Sequence, residues 1–226
     1  MTVSRLSPRL VGACCVGALA VGALAACGSD NSTVSPRATG PRCDYPSAAD
    51  PGDRKPGPPP AVPTQTSGTA TVTMVTSAGT VAWRVDAART PCTLNSFRHL
   101  AEAKFLDGTP CHRVTTGGIF VLQCGDPTGL GTGGPGYTIA DEALDGATYP
   151  AGTIAMANTG RPGSGGSQFF LNYGDSPLPP TYTPWGTVTQ GLDVLKAIGA
   201  AGAAGGAADG KPVIPVTVQT FRVSRA

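Results

Sequence analysis

The sequence predicts a mainly β fold, a closed eight-stranded antiparallel β-barrel capped by two helices. Glycine (32) and proline (22) are abundant among the 226 residues and only 6% are aromatic, which favours turns and short strands. About eight short segments have the apolar patterns of strands, and two have helical spacing. Because closure removes exposed strand edges, a barrel is the architecture expected for so many short strands.

The first part of the chain, residues 1–26, has the organisation of an export signal. Arg5 and Arg9 form a basic region, and the apolar run over residues 10–26 is too short for a comfortable membrane span. The run leads into LAAC, residues 24–27, which resembles a bacterial lipobox. Cleavage there would leave Cys27 carrying acyl chains such as palmitate, at the extracytoplasmic face of the cell membrane. A plain signal peptide with an incidental cysteine is the alternative, because small residues precede the cut site in both.

Residues 27–67 are expected to form a flexible tether. They are rich in proline, glycine and serine and show almost no apolar periodicity, so they cannot bury enough surface to offset the entropy of ordering. Proline makes such a chain partly extended, which would keep the domain that follows, residues 68–226, clear of the lipid surface.

The domain begins with a predicted hairpin, TATVTMVTS and TVAWRV, in which apolar and polar residues alternate around a glycine-containing turn. A helix follows, with Thr90 as N-cap, Pro91 at its first position and apolar residues at spacings of three and four. Those residues are Leu94, Phe97, Ala101 and Phe105.

Further short strands are predicted at CHRV, IFVLQC, YTIA, TIAMAN, SQFFLNY and WGTVT, separated by glycine-rich turns. A second helix is predicted over residues 192–198, residues 200–212 are predicted to be a mobile loop, and PVTVQTFRV closes the chain as a strand.

Several familiar sites are excluded by context. A balance of 16 Lys and Arg against 14 Asp and Glu does not suggest a nucleic-acid partner. The stretch GLGTGG, residues 129–134, fits a dinucleotide-binding pattern, but proline and strand formers follow where a helix must begin. His99 and His112 lack further ligands at metal spacing, and Ser164 and Ser167 lack the context of a hydrolase nucleophile. No cofactor or metal is expected.

Five short sequence motifs occur in this order along the chain: CHRV, FVLQCGDPTGLGTGGPGY, AMAN, GSQFF and WGTV. This order resembles the cyclophilins, which are peptidyl-prolyl cis-trans isomerases, over roughly residues 68–226. The resemblance implies a cyclophilin-like barrel and an enzyme that accelerates X-Pro isomerisation in exported proteins, assisting their folding. With the tether and lipobox, the chain resembles membrane-attached cyclophilins of actinobacteria.

The resemblance assigns catalysis to Arg113 and Gln123. An isomerase needs no nucleophile, because it has only to hold the proline ring and stabilise the twisted amide, whose nitrogen becomes basic. Arg113 would hold the proline carbonyl and meet the nitrogen lone pair, and Gln123 would orient the substrate backbone. Taken alone, Arg113 would be a strand arginine paired with a surface carboxylate, and Gln123 a surface strand glutamine.

The resemblance also assigns the proline pocket, since a flat apolar ring is best bound by aromatic and aliphatic walls. The walls are Phe120, Val121, Phe170, Leu178 and Tyr182. Gln168 should share a face with Phe170 and bond the substrate backbone, while Phe169 points to the core. Ala157 and Asn158 would give backbone contacts to the residue before proline.

Three residues depart from the family pattern. Pro177 stands where many cyclophilins have an aromatic residue, Tyr182 where they have histidine, and Val121 where methionine is commoner. The missing aromatic residue is a tryptophan that usually donates a hydrogen bond to cyclosporin, so binding of that drug is doubtful. A proline-peptide binding module or holdase with little turnover stays open, as does a surface protein that recognises host or envelope partners.

Four cysteines remain once the signal and Cys27 are set aside: Cys43, Cys92, Cys111 and Cys124. An even number in an exported protein predicts disulfides, and two bonds among four cysteines allow three connectivities. A disulfide from Cys43 would join the tether covalently to the barrel.

Overall fold

A computed structural model describes residues 41–49 and 52–225. The strands are β1 Thr69–Thr76, β2 Gly79–Asp86, β3 Arg113–Thr115, β4 Val121–Cys124, β5 Thr153–Met156, β6 Phe169–Asn172, β7 Pro184–Gln190, β8 Asp209–Gly210 and β9 Val218–Arg225. The helices are α1 Pro91–Glu102, α2 Leu192–Ala201 and a short 3-10 helix, η1 Ala204–Gly206. The predicted signal, the lipobox and Cys27 lie outside the described residues. Within the two described ranges, none of the helices combines the length and the apolar character needed to cross a membrane.

All nine strands of the described part of the chain belong to one antiparallel sheet, in the order β8-β3-β4-β6-β5-β7-β2-β1-β9. The sheet curls but stays open, so the prediction of a closed eight-stranded barrel is wrong in strand number and in closure. Scattered backbone hydrogen bonds connect residues 108–111, which lead into β3, to residues 216–218 at the start of β9, with an isolated bridge from Pro110 to Thr217. Proline has no N–H to donate, so Pro110 cannot extend this contact into a regular ladder.

The main hydrophobic core lies on the face of the sheet that packs against α1. Phe97 of α1 stacks on Trp185 with ring centres 4.2 Å apart, and Trp83 meets the same indole edge to face at 5.5 Å. Phe169 and Phe221 complete the cluster, and all five rings are almost fully buried. Rings of this size dominate the area removed from water, so this cluster anchors the fold.

A smaller apolar cluster lies on the other face of β4, β5 and β6. Its buried members are Val121, Tyr149, Ala155 and Phe170. Because successive residues of a strand point to opposite faces, Phe169 enters the main core and Phe170 enters the small cluster, as the alternation predicts. The same short strands therefore carry two separate apolar surfaces.

Helix α1 begins where predicted, but its N-terminus is capped by a residue from another loop. Thr90 occupies the N-cap position without a side-chain hydrogen bond to the helix. The carboxylate of Glu142 accepts from the N–H groups of Cys92 at 3.0 Å and Thr93 at 2.8 Å. A carboxylate here satisfies free backbone donors and interacts favourably with the helix dipole. The helix ends before Phe105, which is buried just beyond it.

Residues 41–49 and 52–67, called the strap below, lie in the segment predicted to be a flexible tether, and they make defined contacts with the domain. The strap belongs to the same compact unit as the sheet. A disulfide between Cys43 and Cys92 joins it to α1. This covalent link, with the hydrogen bonds described next, orders a segment whose own composition cannot form a core.

Polar side chains of α1 form hydrogen bonds with backbone carbonyls of the strap. Asn95 donates to the carbonyl of Pro60 at 2.8 Å, and His99 Nε2 lies 3.1 Å from the carbonyl oxygen of Pro56. In the opposite direction, Arg54 of the strap donates to the carbonyl of Asp107 at 2.7 Å. Prolines have no N–H groups, so the strap cannot form a regular backbone ladder of its own. Side chains of α1 form hydrogen bonds with its carbonyl groups instead.

The segment predicted to be a mobile loop, residues 200–212, contains η1 and β8. β8 pairs with β3, with Asp209 opposite Thr115 and Gly210 opposite Val114. The N–H of Thr116 also donates to the carbonyl of Ala208 at 2.8 Å. This pairing brings Asp209 to the edge of the strand that begins at Arg113.

Candidate active site

A cavity of about 170 Å³ opens beside the smaller apolar cluster. Its lining consists of Arg113, Ile119, Val121, Gln123, Ala157, Asn158, Phe170, Leu178 and Tyr182. Eight of these nine residues were predicted from the sequence, and Ile119 was not. Two predicted site residues, Phe120 and Gln168, lie elsewhere. The structure thus brings together residues that are up to 69 positions apart in the chain, from Arg113 to Tyr182.

The polar edge of the cavity comes from two paired strands. β3 and β4 are in register such that Arg113 lies directly opposite Gln123. Residues that face each other across an antiparallel pair leave the sheet on the same side, so their side chains meet. Arg113 Nη1 donates to Gln123 Oε1 at 3.0 Å.

A chain of hydrogen bonds continues from Gln123 to the glycine-rich turn. Gln123 Nε2 donates to Gln168 Oε1 at 2.8 Å, and Gln168 Nε2 donates to the carbonyls of Gly131 at 3.0 Å and Gly133 at 2.9 Å. Gln168 lies in a neighbouring groove of about 550 Å³, and both N–H groups of its amide nitrogen are engaged within the protein. Its predicted bond to a substrate backbone is therefore replaced here by bonds to the turn.

Arg113 is also bound by a carboxylate that sequence reasoning missed. Its Nε and Nη2 donate to the two carboxylate oxygens of Asp209, each at 2.7 Å. These hydrogen bonds raise the pKa of Arg113 and lower the pKa of Asp209, so the pair is ionic at neutral pH. The alternative raised for Arg113 alone, pairing with a surface carboxylate, therefore occurs together with its place at the cavity. One signal was present: Asp209 is the single charged residue between Lys196 and Lys211.

Two aromatic rings form one wall of the cavity. The rings of Phe170 and Tyr182 have centres 5.5 Å apart and planes at 82°. Tyr149 stands behind them, and its hydroxyl donates to the carbonyl of Tyr182 at 2.7 Å and accepts from the Tyr182 N–H at 3.0 Å. Burial raises the pKa of Tyr149, so the hydroxyl stays protonated and able to donate at neutral pH. The backbone of Tyr182 is thereby fixed on both sides.

Phe120, predicted to line the pocket, does not reach it. β4 begins at Val121, and alternation along the strand sends Val121 and Gln123 into the site and the preceding residue to the other side. The ring of Phe120 packs edge-on against Tyr173, with centres 6.0 Å apart. Ile119 lines the cavity in its place, because the link before β4 turns back there, with Thr115 Oγ1 donating to the Ile119 carbonyl.

Ala157 and Asn158 line both the cavity and the neighbouring groove. The N–H of Ala157 donates to the carbonyl of Gln168 at 3.0 Å, and the side chain of Asn158 donates to the carbonyl of Thr181 at 2.8 Å. The N–H of Ala157 is therefore engaged with its own sheet. Both residues lie between the two openings.

One of the three cysteine connectivities is present in the structure, Cys43 with Cys92 and Cys111 with Cys124. The second bond lies directly behind the site, because Cys111 is two residues before Arg113 and Cys124 follows Gln123. It therefore fastens the segment leading into β3 to the end of β4, the two strands that carry the polar pair.

The glycine-rich stretch over residues 129–134 forms a turn organised by Asp126. The Asp126 carboxylate accepts from the Thr128 N–H and hydroxyl at 2.7 and 2.8 Å and from the Gly131 N–H. Burial alone would raise the pKa of Asp126, but these hydrogen bonds outweigh it and the pKa is lowered. Burial lowers the pKa of nearby His112, which favours its neutral form. Across residues 41–49 and 52–225, no group of three or more His, Cys, Asp or Glu could hold a metal ion.

The site combines an apolar cavity, a polar pair at its edge and an open groove beside it. A family model described as cyclophilin type peptidyl-prolyl cis-trans isomerase/CLD matches residues 71–223. The chain belongs to this family.

Two mycobacterial relatives are similar over most of the chain. The probable peptidyl-prolyl cis-trans isomerase B of Mycobacterium leprae is 43% identical over 200 residues, covering 81% of this chain and 67% of the relative. The protein of the same name from Mycobacterium tuberculosis H37Rv is 44% identical over 198 residues, covering 79% and 63%. The chain thus spans about two thirds of the length of these curated relatives, whose names are those of an isomerase enzyme family.

Solved structures agree with the fold. A crystal structure of a Cryptosporidium parvum cyclophilin type peptidyl-prolyl cis-trans isomerase has a TM-score of 0.63 and 25% identity, covering 70% of this chain and 99% of that one. A second structure of that protein, in the presence of the dipeptide Ala-Pro, has a TM-score of 0.61 and 25% identity, covering 69% and 99%.

Proposed function

We propose that this chain is a peptidyl-prolyl cis-trans isomerase that acts on exported proteins and assists their folding. The observation that carries the proposal is the guanidinium of Arg113, held beside Gln123 at the edge of a small apolar cavity. Membership of the cyclophilin family and relatives named as isomerases support the same activity.

The cavity would hold the proline ring while Arg113 acts on the amide that precedes it. Rotation about a peptide bond costs about 18–20 kcal/mol because nitrogen shares its lone pair with the carbonyl. When the bond twists, the nitrogen becomes pyramidal and its lone pair can accept a hydrogen bond from the guanidinium. An interaction made mainly in the twisted state lowers the barrier, and about 1.4 kcal/mol is worth a factor of ten in rate.

The cavity suits one small apolar ring. Val121, Phe170 and Leu178 supply aliphatic and aromatic walls, and covering apolar surface is worth about 25 cal/mol per Å². A volume of about 170 Å³ leaves little room for a long side chain. The Cryptosporidium parvum relative studied in the presence of Ala-Pro supports proline-containing peptides as the ligand class.

Replacing Arg113 tests the proposal directly. In a protease-coupled assay with a proline peptide, Arg113→Ala should lower kcat/KM by about 100-fold, the usual scale for removing a preorganised donor. Arg113→Lys should also be impaired, because an ammonium group cannot reproduce the planar fork. The control is Arg84→Ala, which removes an exposed arginine from β2. An Arg113→Ala protein that retains full activity would rule out the catalytic assignment.

A proline-peptide binding module is the second candidate. It is kept open by Pro177 and Tyr182, which depart from the family pattern at the site. Fluorescence titration with a proline peptide, combined with the isomerisation rate, separates the two. Binding without acceleration over the spontaneous rate would support the module and reject the enzyme.

We also propose that the protein is exported and attached to the membrane through Cys27. LAAC at residues 24–27 supports lipidation, and the two disulfides are of the kind that persist in oxidising compartments. Cys27→Ala should move the protein from the membrane fraction to the soluble fraction. Unchanged partitioning would reject the anchor.

Weak cyclosporin binding is expected from Pro177. This exposed proline stands where many family members have a tryptophan whose N–H donates to the drug, and proline has no donor to offer. A titration of isomerase activity with cyclosporin measures the effect. Inhibition at nanomolar concentration would contradict the expectation.

A further inference from the structure

The carboxylate of Asp209 holds one edge of the Arg113 guanidinium, and Gln123 holds another. The carboxylate accepts from Nε and Nη2, while Nη1 donates to Gln123. A guanidinium is planar and carries five N–H groups in a fixed fork, so bonds along two of its edges fix both its position and its plane. Arg113 would otherwise turn about the bonds of a long flexible stem.

The backbone of β8 places this carboxylate. Asp209 pairs with Thr115 at the edge of the sheet, and the Ala208 carbonyl accepts from the Thr116 N–H at 2.8 Å. The segment is thus fastened to the strand that carries Arg113, although its sequence is almost entirely glycine and alanine. The pairing of β8 with β3 therefore places the Asp209 carboxylate against the guanidinium of Arg113.

This ion pair contributes more to orientation than to stability. The side chains of Arg113 and Asp209 are 36% and 55% exposed, and ion pairs this open to water contribute little to the free energy of folding. Its two parallel bonds nevertheless set one geometry, which is the property that a bidentate arginine–carboxylate pair supplies. The pair can therefore be removed without expecting the domain to unfold.

The pair also starts the chain of hydrogen bonds across the site. Asp209 accepts from Arg113, Arg113 donates to Gln123, and Gln123 donates to Gln168. Gln168 then donates to the carbonyls of the glycine-rich turn. Each bond fixes which way the next amide faces, so a change at Asp209 reaches Gln123 through Arg113.

We propose that Asp209 is a positioning residue for the isomerase reaction, holding the Arg113 guanidinium in the orientation that meets the twisted amide. The proposal rests on the isomerase function proposed above. Asp209 contacts Arg113 and is not among the residues that line the cavity, so its effect is exerted through the arginine.

The test compares Asp209→Asn with the wild-type protein and with Asp145→Asn, which removes an exposed carboxylate from another loop. Asp209→Asn should lower kcat/KM about tenfold, because small displacements of a catalytic group are costly. The Kd for a proline peptide should change less than about twofold, because the apolar walls are intact. Asp209→Glu, which retains the carboxylate, should recover part of the activity, and Asp145→Asn should be unchanged.

An NMR readout keeps this proposal separable from the isomerase proposal. The Arg113 Nε–H should give a slowly exchanging ¹⁵N–¹H signal in the wild-type protein, and Asp209→Asn should shift or broaden it. An inactive wild-type protein that shows this change would reject the isomerase but retain the positioning contact. Asp209→Asn with unchanged or increased kcat/KM, in an active enzyme, would overturn the positioning role, as would an unchanged Arg113 signal.

Discussion

Replacing Cys43 and Cys92 together by alanine should lower the free energy of unfolding by up to about 4 kcal/mol. The two residues are 49 positions apart, and in the chain-entropy model a crosslink over a loop of that length removes about 4 kcal/mol of unfolded-state entropy at 25 °C. The hydrogen bonds from Asn95 and His99 to the strap remain in the variant. The native structure should therefore persist, and the loss should come mainly from the unfolded state.

Urea unfolding of the purified, oxidised protein measures this loss. Both tryptophans are buried in the core, so their fluorescence reports global unfolding. The matched control replaces Cys111 and Cys124, which are 13 positions apart, and the same relation gives about 3 kcal/mol. If the Cys43 and Cys92 variant loses less than about 1 kcal/mol, the strap does not restrain the unfolded chain as argued.

Four further substitutions test the turn, the cavity and the core. Asp126→Asn should cost about 2 kcal/mol in urea unfolding, because an amide NH₂ then faces backbone donors. Since folding lowers the pKa of Asp126, this difference should hold above about pH 5 and shrink below about pH 4. Phe170→Ala should lower kcat/KM at least about tenfold in the peptide assay, whereas Phe169→Ala should cost about 3–5 kcal/mol of stability. Gly186→Ala should cost about 1–3 kcal/mol in thermal unfolding, because a Cβ would overlap the indole of Trp83. Wild-type stability of Asp126→Asn, Phe169→Ala or Gly186→Ala, or undiminished activity of Phe170→Ala, would contradict the reasoning concerned.

Local patterns in the sequence were enough to predict the hairpin, α1 and the two faces of β6. β1 and β2 pair without a shift from Thr69 to Thr76, and the alternation of buried residues along β1 follows directly from its sequence. The same period of two separates Phe169 from Phe170. These features depend on neighbouring residues alone, so no knowledge of the remaining fold was needed.

Features that depend on distant residues were missed. Glu142 caps α1 from 50 positions away, and no pattern around Thr90 points to it. The strap was predicted to be flexible because its composition cannot form a core. Composition alone cannot show that a disulfide and the side chains of Asn95 and His99 bind the strap to the rest of the domain.

The site was predicted by resemblance, and its errors have local physical causes. Ile119 takes the place predicted for Phe120, because alternation along β4 puts Ile119 and Val121 on the same side and Phe120 on the other. Gln168 shares a face with Phe170 on the strand pattern, yet its amide is bound to the glycine-rich turn. Asp209 had no motif to mark it, because its role depends on the pairing of β8 with β3.

The strands that carry the polar pair are too short to hold it by themselves, since β3 has three residues and β4 has four. They are restrained from three directions, by the Cys111–Cys124 disulfide behind them, by Asp209 at the outer edge and by Gln168 on the inner side. An isomerase forms no bond to its substrate, so its rate depends on donors that already face the position of the twisted nitrogen. A guanidinium that had to be ordered in each turnover would lose much of that advantage. The restraints around Arg113 are therefore the part of this fold on which the proposed catalysis most depends.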